Sequence, residues 1–136
     1  YIAELVPMLR KVKQLGGSWC YHGYSLNFTT DLNEEIWTSL RYRVFYDYLQ
    51  KNATDVSDIP MIISETGIDK TGDPKTSGWQ ARGSKLQFEN WLTWYDGQIK
   101  QDPYIIGATI FQSGDGHWSS FNLDPIAGWL SNYLKQ

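Results

Sequence analysis

The chain has 136 residues, 12 lysines and arginines against 15 aspartates and glutamates, and one cysteine. A net charge of −3 with no basic cluster argues against a nucleic-acid binder, and no apolar run approaches the roughly 20 residues that span a bilayer. The lone cysteine excludes an internal disulfide framework and a cysteine-based zinc site, while 41% hydrophobic and 20% charged residues are globular proportions.

Ile2, Leu5, Val6, Leu9, Val12 and Leu15 recur at helical spacing, and Gly16-Gly17 supplies a C-terminal stop. No charged region followed by an apolar stretch marks a signal peptide. Ser18 to Ser25 is short, aromatic and flanked by turn residues, so it reads as a strand. A helix is expected from Asp31 to about Lys51, with Ile36, Trp37, Leu40, Val44, Tyr48 and Leu49 on its apolar face. After a polar connector, Pro60 to Glu65 suggests a strand buried on both faces. Thr66 to Gly83 reads as a long glycine-rich loop, of a length more often functional than incidental. Ser84-Lys85-Leu86-Gln87 has capping-box spacing and opens a helix carrying Phe88, Trp91, Leu92, Tyr95 and Ile99. Asp102-Pro103 ends it, and Tyr104 to Phe111 is a third strand. A second loop, Gln112 to Leu123, precedes Asp124-Pro125, an N-cap followed by proline at the first helical position. Ile126, Trp129, Leu130, Tyr133 and Leu134 mark the last helix.

One helix followed by three strand–helix pairs implies right-handed crossovers and a parallel sheet, with residues 1–136 as a single unit. A full eight-stranded barrel takes about 250 residues. The tally therefore corresponds to three of eight strand–helix units and one preceding helix.

In such folds function collects at the C-terminal ends of strands. Those ends carry His22 with Tyr24, then Glu65, then Gln112. Glu65 closes an apolar strand, where an unpaired buried charge is costly, so a catalytic carboxylate competes with a strand-end cap. His22 and Tyr24 are two apart and share a face, within reach of Glu65 or of a sugar hydroxyl. The bland alternative is a core histidine beside a packing tyrosine. Seven tryptophans, nine tyrosines and five phenylalanines suggest both a rigid core and a sugar-stacking surface. Trp79 and Trp118 lie in the two polar loops, where stacking on a sugar competes with a ring pinning its own loop. Trp37, Trp91 and Trp129 read as packing on helices. Asp69, Asp73 and Asp115 read as solvated turn formers. No cluster has metal-ligand spacing, and no phosphate-binding glycine motif is present, so neither a metal nor a cofactor is expected.

His22-Gly23-Tyr24, Ser64-Glu65-Thr66-Gly67, and Trp91 to Asp96 followed by Gln101 to Tyr104 resemble the C-terminal half of a retaining glycoside hydrolase of the clan with cellulase-like and β-galactosidase-like families. The resemblance implies an α/β fold, the C-terminal part of a TIM (β/α)8 barrel, with strands 6–8 and helices 5–8. A separate N-terminal segment would complete it. It also implies a carbohydrate substrate, β-linked, and an extracellular or cell-surface setting. Glu65 would be the nucleophile, Tyr24 its hydrogen-bond donor, and His22 a partner of the sugar or of the acid/base. A second carboxyl group would lie about 5–5.5 Å away. That acid/base belongs to an Asn-Glu pair at the fourth strand, outside this sequence, so activity would require the N-terminal half. A tryptophan usually closes the eighth strand; here Phe111-Gln112 stands there and Trp118 follows in the loop. Trp79, Trp118 and Gln112 are the substrate-binding candidates. The competing readings are a non-catalytic carbohydrate-binding or structural protein, and a self-contained α/β domain that pairs with itself.

Overall fold

The computed structural model describes residues 1–114 and 116–136. Asp115 lies outside the described residues. Three strands, β1 (Trp19–Ser25), β2 (Met61–Ile68) and β3 (Ile105–Ile110), form one parallel sheet in the order β1-β2-β3. Among the described residues six α-helices run around them: α1 (Ile2–Gln14), α2 (Leu32–Glu35), α3 (Tyr42–Asn52), α4 (Trp79–Arg82), α5 (Lys85–Ile99) and α6 (Ala127–Tyr133).

The expectation of strands 6–8 and helices 5–8 of a TIM barrel is therefore corrected: the sheet is small, open and three-stranded. Alternation of strand and helix dictates parallel pairing and crossovers, but it does not dictate closure. Closure requires a tilt and stagger carried through every strand, which three units cannot reveal. Here β2 is central, and the outer edges of β1 and β3 have no neighbouring strand among the described residues.

Local chemistry explains the elements. Gly16 takes φ 70°, and Gly17 N–H then closes α1 by donating to the Val12 carbonyl at 2.9 Å. The helix expected from Asp31 to Lys51 is broken between α2 and α3. Glu35, 1% exposed, accepts hydrogen bonds from the hydroxyls of Ser25, Thr38 and Ser39. Ser25 lies on β1, so this carboxylate ties the turn at 36–41 to the sheet. Trp37, on the broken stretch, is 63% exposed and does not pack. The capping box at Ser84 forms in both directions, so α5 starts where the sequence places it. At the far end, Pro125 sits in a short 3₁₀ turn that precedes α6.

The core is aromatic. Trp91 stacks on Phe88 and Tyr95 along α5, and Tyr46 of α3 stacks on Tyr104 with ring centroids 3.5 Å apart. The hydroxyls are satisfied. Tyr42 donates to Asp102 at 2.6 Å, where Arg43 Nε also donates at 2.8 Å, and Tyr46 accepts from Trp19 Nε1 at 2.7 Å. Trp19, Tyr21, Met61 and Ile63 pack against this layer, whereas Cys20 and His22 are exposed on the other face of β1. Ile106 of β3 is 61% exposed.

Burial raises the pKa of Tyr42, Tyr46, Tyr95 and Tyr104 above the ordinary phenol value, that of Tyr46 to about 12. The folded state thus holds protons that the unfolded chain releases near pH 10. Their contribution to stability is complete below about pH 10 and is lost as pH rises through the folded values. Urea midpoints measured from pH 8 to pH 12 should be level at first and fall above about pH 10. A profile that stays level to pH 12 contradicts the assignment.

Candidate active site

The site depends on an irregularity in β2. Tyr21 of β1 pairs with Ile63, but the next residue, His22, pairs with Glu65, so Ser64 has no counterpart. The β3 side shows the same excess: Ile63 pairs with Ala108 and Thr66 with Ile110. One extra residue in β2 is thus accommodated as a bulge. Side chains alternate along a regular strand, so Ile62 and Ser64 share the uncovered face and Glu65 would turn toward the helices. The bulge re-aims it. Glu65 stays partly exposed beside His22, and alternation resumes with Thr66 buried. Glu65 does not close the strand as expected; β2 continues for three more residues to Ile68.

Tyr24 Oη donates to Glu65 Oε2 at 2.8 Å, and His22 Nδ1 lies 3.4 Å from the same oxygen. The carboxylate side chain is 33% exposed and the imidazole 58% exposed, so both remain open to a ligand. Burial, followed by the hydrogen bond to Glu65 and the charges of Glu65 and Asp69, pushes the Tyr24 pKa far above the phenol value. The phenol is held as a donor. Gly67, two residues after Glu65, has φ 150°, which favours glycine. A side chain there would meet the Phe111 carbonyl and the Tyr24 ring.

These groups border a concavity of about 400 Å³, whose remaining walls are Asp69, Phe111, Trp118 and Phe121. That is within the size range of small-molecule sites. Phe111 meets Tyr24, Trp118 and Phe121 edge-on, at centroid distances of 6.5, 5.4 and 5.5 Å. Other grooves are as large. One of about 510 Å³ lies between α1 and the turn at Thr54–Val56, but its Arg10 and Lys13 are already paired with Asp55 and Asp58.

Two loops shape the aromatic wall, and they are hydrogen-bonded to each other. Gly78 N–H donates to Ser120 Oγ at 2.9 Å, Ser120 N–H to the Pro74 carbonyl at 3.1 Å, and Gln80 Nε2 to the Asn122 carbonyl at 2.7 Å. Trp79, offered by sequence as a sugar platform, is 2% exposed; it stacks on Phe88 and donates to the Phe121 carbonyl at 3.2 Å. It fastens the wall and is closed to ligand. Trp118 does line the concavity. Gln112 does not: its carbonyl accepts from Leu123 N–H at 2.9 Å, and its side-chain nitrogen is buried.

The structure thus brings together His22, Tyr24, Glu65 and Trp118, and leaves Trp79 and Gln112 outside. Asp69, Phe111 and Phe121 are the wall residues that the sequence reading did not assign to the site. Had β2 been read through to Ile68, Asp69 would have stood at the strand's C-terminal end, where functional residues collect. Among the described residues no group of three histidines, cysteines or acids is placed to hold a metal ion. No helix of the described residues is long and apolar enough to cross a membrane. Compared with protein-family models, curated proteins and solved structures, the chain has no significant match.

At Gly78 the two loops approach closely, and a Cβ there would overlap the Ser120 carbonyl. Gly78→Ala should cost about 1–3 kcal/mol in urea unfolding, the usual effect of forcing atoms into a packed site. It should also alter the indole resonance of Trp118 in an NMR spectrum. A variant with wild-type stability and an unmoved Trp118 resonance would show that the loops are not tightly joined.

Proposed function

We propose that the chain carries the nucleophile of a retaining glycoside hydrolase acting on β-linked bonds of a poly- or oligosaccharide. The observation that carries this reading is the convergence of Tyr24 and His22 on one oxygen of Glu65, inside an aromatic-walled concavity. The likeness of His22-Gly23-Tyr24 and Ser64-Glu65-Thr66-Gly67 to glycosidase motifs adds to it.

Glu65 Oε attacks the anomeric carbon as the glycosidic C–O bond breaks, and the bonding electron pair leaves with the departing oxygen. A general acid protonates that oxygen. The same group, now a base, takes a proton from water, which attacks the glycosyl ester and restores Glu65 with net retention. Tyr24 donates to the oxygen that is not attacking, which keeps the carboxylate oriented. The uncharged faces of Phe111 and Trp118 suit the apolar face of a pyranose ring. Glu65 and Asp69 are the carboxylates of the concavity wall, and Asp69 is tied into its own turn through two backbone N–H groups. The general acid/base is accordingly assigned to a separate chain or segment.

A dinitrophenyl β-glycoside needs no protonation of its leaving group, so its cleavage tests Glu65 without the acid. Glu65→Gln should reduce dinitrophenolate release by roughly 10³-fold or more, with sugar binding largely kept. Tyr24→Phe should reduce it by about 10–100-fold, the worth of a hydrogen bond to a charged group. Release that is unchanged in Glu65→Gln removes the catalytic assignment and leaves a carbohydrate-binding surface.

A further inference from the structure

The concavity contains a second carboxylate that the reaction above does not use. Asp69 follows β2 directly, and its N–H donates to the Ser25 carbonyl at 2.9 Å, which extends the pairing of β1 and β2. Its Oδ1 accepts from Thr71 N–H at 3.1 Å and Gly72 N–H at 2.6 Å. The side chain is therefore fixed by its own turn. Among the described residues, nothing donates to Oδ2. The residue is half-buried and lines the same wall as Glu65 and Trp118. Lysine and arginine are absent from that wall among the described residues.

We propose that Asp69 sets the charge class of the substrate: the site takes a neutral sugar, one hydroxyl of which donates to Asp69 Oδ2, and it rejects uronic acids. This rests on the glycosidase reading above. A carboxylate with one oxygen held by backbone and the other open is a rigid acceptor for a hydroxyl. It also repels a second carboxylate. Two acidic groups, Glu65 and Asp69, face one concavity with no lysine or arginine among its described lining residues, and His22 is already beside Glu65, so a uronide would bring in a further carboxylate with no permanent cation to meet it. Attraction to the right ligand and repulsion of the wrong one come from the same atom.

Activated 2-deoxy-2-fluoro-glycosyl fluorides label a glycosidase nucleophile without a general acid, and mass spectrometry locates the adduct. The gluco, galacto and manno reagents are compared with the uronyl counterpart of whichever labels Glu65 fastest. The neutral reagent should label at least about tenfold faster than its uronyl counterpart. Asp69→Asn retains an Oδ1 acceptor for Thr71 and Gly72 but turns the open oxygen into a donor. It should bring the two rates within a few-fold of each other while the melting temperature stays put. Asp69→Ala, which loses the turn as well, should slow both reagents. Equal rates in the wild type overturn the proposal, as does a preference that survives in Asp69→Asn, which would make Asp69 a turn former only. If no reagent labels Glu65, the glycosidase reading itself fails, and the inference falls with it for that separate reason.

Discussion

The extra residue in β2 is the constraint from which the rest of the site follows. A parallel sheet fixes which side chains become neighbours, because residues in register share a face. With regular pairing, His22 would lie beside Ser64, and Glu65 would face the aromatic helix layer, where an unpaired carboxylate is costly. Accommodating Ser64 as a bulge changes one side chain's direction and leaves the flanking pairs intact, from Tyr21 with Ile63 to Ser25 with Ile68. The strand is therefore anchored on both sides of the irregular point. Below it, Met61 and Ile63 are fully buried; above it, Thr66, Gly67 and Ile68 are buried as well. The Glu65 carboxylate is presented by strand backbone rather than by a loop, so its direction is set by the sheet.

The wall opposite has a different origin. It is built from loop segments, which ordinarily are the least ordered parts of a fold. Here each loop supplies the other's hydrogen-bond partners, and a buried indole from α4 spans both. Trp79 fills the space between Phe88 and the Phe121 backbone, so the position of Phe121 is set by the helix layer behind it. Phe111, directly after β3, then meets both Trp118 and Phe121 edge-on. Sheet and loops thus share one aromatic cluster. The floor of the concavity takes its geometry from the bulge, and its wall from the packing of α5.

What the sequence made legible was set by local chemistry. The three strands, the parallel pairing and the Ser84 cap were readable because alternation, strand–helix order and side chain–backbone capping are near-neighbour effects. His22, Tyr24 and Glu65 were readable as a group because strand ends on adjacent parallel strands are close. The barrel was not a local property, and the open sheet overturns it. The broken helix at 36–41 was missed: the Glu35 carboxylate there gathers hydroxyls from Ser25, Thr38 and Ser39, and its tie to β1 is not a near-neighbour effect. Trp79 and Trp118 looked alike in sequence, each a tryptophan in a polar glycine-rich loop. Only the partners that packing gives them, Phe88 for one and Phe111 for the other, separate a buried fastener from a wall of the concavity. The bulge left no signature beyond the adjacent polar pair Ser64-Glu65, which breaks the alternation of β2.

The outer margin of β3 bears on how the protein behaves in a tube. Ile105 to Ile110 contains no proline and no charged side chain, and Ile106 is 61% exposed beside Gly107, Ala108 and Thr109. Proline, lysine and bulges are the usual devices that keep a free strand from acting as a template for another. This one has neither proline nor lysine along its length, and its one irregularity is at Ile106, which the pairing with β2 skips. Strand addition at this edge, were it to occur, would rise with chain concentration, and turbidity or sedimentation would read it. A lysine in place of Ile106 would supply the missing guard without entering the concavity around Glu65.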